Sequence, residues 1–184
     1  PRNSDYEKDY LQIVKLVRLE KSKINLNNRL ASARATEMGK MTATFTYENF
    51  NGGTTSLASL KGKYVYIDIW ATWCGPCLRE FPELKKLIED FQGNNIEFVC
   101  ISIDKLEEIE KWKKLVKEKN LGGIQLISDK ELNSDFMKYF QVSLIPRNIL
   151  INPEGKIISS AGLRPSDPKT REILNSILIR KVQL

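Results

Sequence analysis

The chain has 184 residues, 41% of them hydrophobic, with a formal net charge of +6 and no histidine. Lacking histidine, it has no His-based acid–base catalysis, no Ser-His or Cys-His nucleophile pair and no mixed Cys/His zinc site. No apolar run approaches the roughly 18 residues of a helical membrane span, and the length suffices for one well-buried domain with a segment to spare.

The basic excess is uneven: residues 1–42 carry +4 of it and the rest only +2. Lys and Glu interleave in "LEEIEKWKKLVKEK", the pattern of solvated helix faces, so no nucleic-acid partner is expected. "PRNSDYEKDYLQ" has no apolar h-region and does not begin with Met; the expectation is that an export signal or anchor has been removed.

Residues 5–35 lack Gly and Pro, and Tyr6, Tyr10, Ile13, Val14, Val17 and Ile24 recur at three- and four-residue steps, predicting a helix with one apolar stripe. Gly39 in "EMGKM" breaks that pattern. The expected organisation is a helical leader over 1–42, which either covers the domain or makes a dimer, or serves as a stalk or docking element for a membrane or upstream domain, and a layered α/β domain over 43–184. In that domain "ATFTY" reads as a short strand, followed by turn glycines at 52, 53 and 62. "YVYIDIW" is too apolar for a half-exposed strand and predicts a central one buried on both faces. "PCLREFPELKKLIEDFQ" predicts a helix bent by Pro82, and "IEFVCISI" a second buried strand. "KLEEIEKWKKLVKEKN" reads as an amphipathic helix ended by "LGG", "IQLIS" as a strand and "KELNSDFMKYFQV" as a further helix. "RNILI" and "KIISSA" form a hairpin across "NPEGK", and a last helix follows with Ser166 or Asp167 as its cap and Pro168 in its first turn. Strand–helix alternation closing on a hairpin implies a mixed sheet flanked by helices.

The cysteines are Cys74, Cys77 and Cys100. Structural zinc wants four ligands, and one CxxC with a distant thiol falls short, so no metal is expected. "WATWCGPC" falls where the central strand ends and a helix begins. Unpaired N–H groups and the dipole there favour an anion, which lowers a thiol from its usual pKa of about 8.5 and makes Cys74 a nucleophile. Cys77 lies one turn on, in reach of a short ring with Cys74, and can resolve a mixed disulfide. Pro76 suits the first helical turn. Asp68, a carboxyl within an apolar strand, reads either as a buried acid that accepts the proton of Cys77 or as a polar residue at a sheet edge. Pro146 in "LIPRN" marks a strand start, and the residues alone leave it as a turn.

"WATWCGPC", the Asp six residues before its first cysteine, and "IPRNILINPEGKII" together resemble the thioredoxin superfamily. "SLASLKGK", "CLREFPEL" and the extra "DKLEEIEKW…LISDKELNSDF" resemble its extracytoplasmic TlpA- and ResA-like branch. The resemblance spans about residues 43–180 and omits the leader. It implies a thioredoxin-like fold, with a central mixed β-sheet flanked by helices and an added αβ insertion, and a thiol–disulfide oxidoreductase without cofactor. Cys74 would attack and Cys77 resolve, with Asp68 as the buried acid. Pro146 would be a cis-proline facing the pair, Ile145 would bond an extended client segment, and Trp73, Gly75 and Pro76 would shape the rim. Glu80 and Pro82 match the pattern that follows the motif in that branch. The implied partners are disulfide-bearing client proteins, among them thiols awaiting haem attachment, and a thiol electron donor at the membrane; the implied compartment is the periplasm or cell envelope. The Gly75-Pro76 pair resembles that of reducing thioredoxins, which implies a reductant. Leu144 and Arg147 depart from the common pattern beside the proline, so client choice does not transfer. Cys100 reads as a buried, inert thiol. The competing readings are a general cytosolic thioredoxin, a peroxidase of the same fold and a non-enzymatic domain whose CxxC is a redox-set clasp.

Overall fold

The structure is a computed structural model that describes residues 9, 12, 13 and 20–179. It divides into two compact units, Pro1–Ala35 and Thr36–Leu184. The first contributes helix α1, Glu20–Ala35. On it Ile24 is exposed and Leu30 is buried. Of the expected leader stripe, Ile13 and Ile24 are exposed, while Tyr6, Tyr10, Val14 and Val17 lie outside the described residues.

In the second unit the strands are β1 (Thr46–Asn49), β2 (Thr54–Ser56), β3 (Tyr64–Trp70), β4 (Ile96–Ser102), β5 (Ile124–Ile127), β6 (Arg147–Ile151) and β7 (Ile157–Ser159). They form one mixed sheet in the order β2-β1-β5-β4-β3-β6-β7. The β3, β4 and β5 trio is parallel, and the outer pairings are antiparallel. The helices are α2 (Gly75–Asp90), α3 (Ile109–Lys119), α4 (Asp135–Tyr139) and α5 (Pro168–Ile179). The expected mixed sheet flanked by helices is therefore found, with "YVYIDIW" as a buried interior strand between "IEFVCIS" and "RNILI".

Tyr66, Asp68 and Trp70 alternate with Val65, Ile67 and Ile69 on β3 and share one face of the sheet. The Trp70 ring meets Phe81 of α2 edge-on, centroids 5.0 Å apart, so that face lies under α2. Burying aromatic and aliphatic side chains such as these supplies most of the folding drive, about 1.5–3 kcal/mol for each fully buried large residue. Pro82 sits inside α2, which continues through it to Asp90.

Several boundaries differ from the sequence reading. The first strand begins at Thr46, three residues later than "ATFTY", because it turns through Gly52 and Gly53 to pair with β2. Helix α3 ends on Asn120, in the left-handed region at φ 46, and not on the following glycines; asparagine tolerates that conformation. "KELNSDFMKYFQV" is a short 3₁₀ turn and then α4, because the Ser134 hydroxyl accepts the Met137 N–H and so caps a new helix. Asp167 is the cap of α5, accepting from Lys169 N, while Ser166 bonds elsewhere. Gly123 has φ +72, and a Cβ there would stand 2.6 Å from the Phe98 carbonyl oxygen, so β5 can enter beside β4 only with glycine at this position. Residues 39–42 join the sheet's far end: Gly39 N donates to Ile157 O, Thr42 N donates to Gly155 O, and Met41 bridges Lys156.

Candidate functional site

β3 delivers the chain to "ATWC" at its C-terminal end, and α2 departs from Gly75. Cys74 is the helix cap, and its Sγ accepts the Cys77 backbone N–H at 3.2 Å. A sulfur aimed at a helix start receives both that donor and the positive end of the helix dipole, which favours its thiolate when the bond between the sulfurs is open. Here Cys74 and Cys77 are joined as a disulfide, Cα atoms 5.3 Å apart. Pro76 occupies the first turn, where its missing N–H strands nothing. Cys77 is buried and Cys74 only 4% exposed.

The Ile145–Pro146 peptide bond is cis. A groove of about 250 Å³ lies between the two motifs, lined among others by Trp73, Cys74, Pro76, Leu132, Leu144 and Ile145. Gly75 and the neighbouring Ile103 also line it. Leu144 is 82% exposed and Trp73 59% exposed, so two large apolar side chains stand in solvent beside the buried sulfurs. The structure thus brings Trp73, Cys74, Gly75, Pro76 and Ile145 to one groove; Cys77 lies just beneath it in the core cluster. Pro146 follows Ile145 directly.

Asp68 is 2% exposed and belongs to the core face of the sheet, not to an edge. Burial raises its carboxyl to about 7, the nearby Glu80 adds to the rise, and a hydrogen bond from Asn148 opposes it. Asn148 Nδ2 donates to Asp68 Oδ1 at 2.7 Å. Glu80 itself is tied to the α5 approach, accepting from Ser166 N at 3.0 Å and Ser166 Oγ at 2.9 Å. Cys100, opposite Asp68 on β4, is a free and fully buried thiol whose pKa burial pushes well above the ordinary range. Among the described residues no cluster of three or more His, Cys, Asp or Glu is arranged to hold a metal ion.

The sequence reading missed Asp104. It is fully buried one residue beyond the apolar "ISI" run. It accepts from Thr72 N at 2.9 Å, Thr72 Oγ1 at 2.8 Å and Ser102 Oγ at 2.6 Å. With the Cys74 N–H bonded to Ala71 O, the loop entering the disulfide is held on both flanks. An acid immediately past a buried strand, with a hydroxyl residue before the CxxC, was the available signal. Asn148, a polar residue in the apolar strand "RNILI", was equally visible.

A family model described as the AhpC/TSA family matches residues 38–160. The chain is 28% identical over 133 residues to the thiol-disulfide oxidoreductase ResA of Bacillus subtilis, covering 72% of this chain and 71% of that protein. It is 49% identical to a candidate thiol-disulfide oxidoreductase from Bacteroides vulgatus solved in solution, with TM-score 0.66, 74% of this chain and 87% of that one. A thiol:disulfide interchange protein from Bacteroides sp. is 28% identical with TM-score 0.69, covering 79% of this chain and 92% of that one.

Proposed function

The chain belongs to the AhpC/TSA family, as a thiol–disulfide oxidoreductase of thioredoxin-like fold, and from that premise we propose that it reduces disulfides of client proteins. The Cys74 thiolate attacks one sulfur of a client disulfide, whose other sulfur leaves as a thiolate and takes a proton from water. Cys77 then gives its proton to the Asp68 carboxylate, and its thiolate attacks Cys74 Sγ. The client's first sulfur departs, so two electrons have passed to the client and the Cys74–Cys77 bond has formed. A thiol donor reverses the last change by the same exchange. Trp73, Leu144 and Ile145 line the approach to Cys74 and take the client segment, with Pro146 behind them.

The observation that carries this reading is Cys74 at the head of α2, accepting from Cys77 N and opening on an apolar groove. The fully buried acid on the sheet face below α2 supports the proton route. The resemblance to the TlpA- and ResA-like branch supports an envelope location and clients whose thiols await haem attachment. No helix among the described residues is long and apolar enough to cross a membrane. The test is insulin reduction run beside a redox titration of the pair. A potential above that of protein disulfide isomerase, about −180 mV, would refute a reductant. Cys77→Ser should end turnover and accumulate trapped mixed disulfides, which a mere clasp would not form.

A further inference from the structure

Asn148 has no structural reason to sit where it does. β6 is a core strand beside β3, Asn148 is 1% exposed, and asparagine is depleted in strands. A buried amide without a partner is costly; this one spends its donor on a single neighbour, Asp68 Oδ1 at 2.7 Å. The register makes them direct partners across β6 and β3. The same row continues through Cys100 on β4 to Gln125 on β5, so four buried polar or thiol side chains stand side by side across four adjacent strands. The groups that interact with Asp68 are otherwise acidic or neutral: Glu80 from α2, Cys100 from β4, and Tyr66 on its own strand, whose hydroxyl donates to the Leu163 carbonyl; Cys77 stands one turn before Phe81 on the helix that covers this face. No cation is among them.

We propose that Asn148 is a positioning residue for disulfide exchange, its amide N–H fixing Oδ1 of Asp68 so that the carboxylate stands ready under α2 for the proton of Cys77. This rests on the roles given above to Asp68 and Cys77. Asn148 lies two residues beyond cis-Pro146, which immediately precedes β6, so the groove wall at Ile145 runs directly into the strand that carries the clamp on the acid. A donor to a buried carboxylate stabilises its charged form. Removing it leaves burial and Glu80 unopposed, and Asp68 keeps its proton to higher pH.

The experiment compares the full chain with Asn148→Leu, which keeps the branched heavy-atom outline and deletes the donor, and Asn148→Ala, which deletes both outline and donor. Two readouts are taken: the NMR titration of the Asp68 carboxyl, and single-turnover insulin reduction by the reduced protein from pH 5 to 9. Both variants should move the carboxyl midpoint up by about one pH unit. Reduction below that midpoint should slow about tenfold while the high-pH plateau stays unchanged. In an Asp68→Asn background, Asn148→Leu should no longer alter the pH profile. A midpoint that does not move, or a profile scaled down equally at every pH, overturns the proposal. If the unaltered protein reduces no disulfide at any pH, the functional reading falls, and the carboxyl titration still decides whether Asn148 governs Asp68.

Discussion

Replacing Asp68 by Asn should make the protein more stable and less active, and the gain in stability should appear only as the pH rises. Unfolded, the carboxyl titrates near 3.8; folded, burial raises it to about 7. Between those values the native state holds a proton that the unfolded state has released, so stability falls as pH climbs through the window and is lowest above it. Each pH unit of the displacement is worth about 1.4 kcal/mol, so ionising Asp68 costs the folded state about 4 kcal/mol by pH 8. Asparagine keeps the size and can accept the Asn148 N–H, but cannot ionise. Asp68→Asn should therefore match the unaltered protein near pH 4 and exceed it by about 4 kcal/mol at pH 8, which raises Tm by about 10 °C for a chain of this length. Insulin reduction should fall at least about a hundredfold, the usual reach of a lost general base. Guanidinium unfolding of the oxidised proteins at pH 4, 6 and 8 measures the difference. A gap that does not widen over that range, or an Asn variant less stable at pH 8, would refute the account of Asp68 as an acid strained by burial.

Thr72→Val deletes the hydroxyl bond to Asp104 and should lower unfolding free energy by about 2 kcal/mol and slow insulin reduction; Thr72→Ser should restore both. Leu144→Asp, at a largely exposed site in the groove, should raise KM for insulin severalfold while changing stability by less than about 0.5 kcal/mol in a denaturant titration. Cys100→Ala should cost about 1–2 kcal/mol of packing and leave reduction rates unchanged; a large loss of activity would give the third thiol a part in the exchange.

What the sequence made legible follows from which signals are local. A run such as "YVYIDIW" has no polar alternation, so a central strand is nearly forced, and the CxxC at its end inherits a helix start from Pro76 and the residues after it. Asp68 was conspicuous because a carboxyl in such a run needs a reason. Its pairing was not: Asn148 is as odd in its own strand but lies 80 residues away, and only the antiparallel register of β3 with β6 sets them side by side. Asp104 was hidden in the same way, 32 residues from Thr72. The missed boundaries have a shared cause as well, since Ser134 and Asn120 decide helix ends by side-chain hydrogen bonding and tolerance of positive φ, which hydrophobic periodicity does not register.

The stitching of Gly39, Met41 and Thr42 onto the Asn152–Ile157 turn region bears on how this domain would tolerate being tethered. β3 starts beside that turn, where Gly62 N meets Pro153 O, and finishes just before the sulfurs, so the stitched segment and the reactive end sit at opposite ends of one strand. Tension arriving along the backbone ahead of residue 39 would load the hairpin rim first, at the end of the strand away from Cys74 and Cys77.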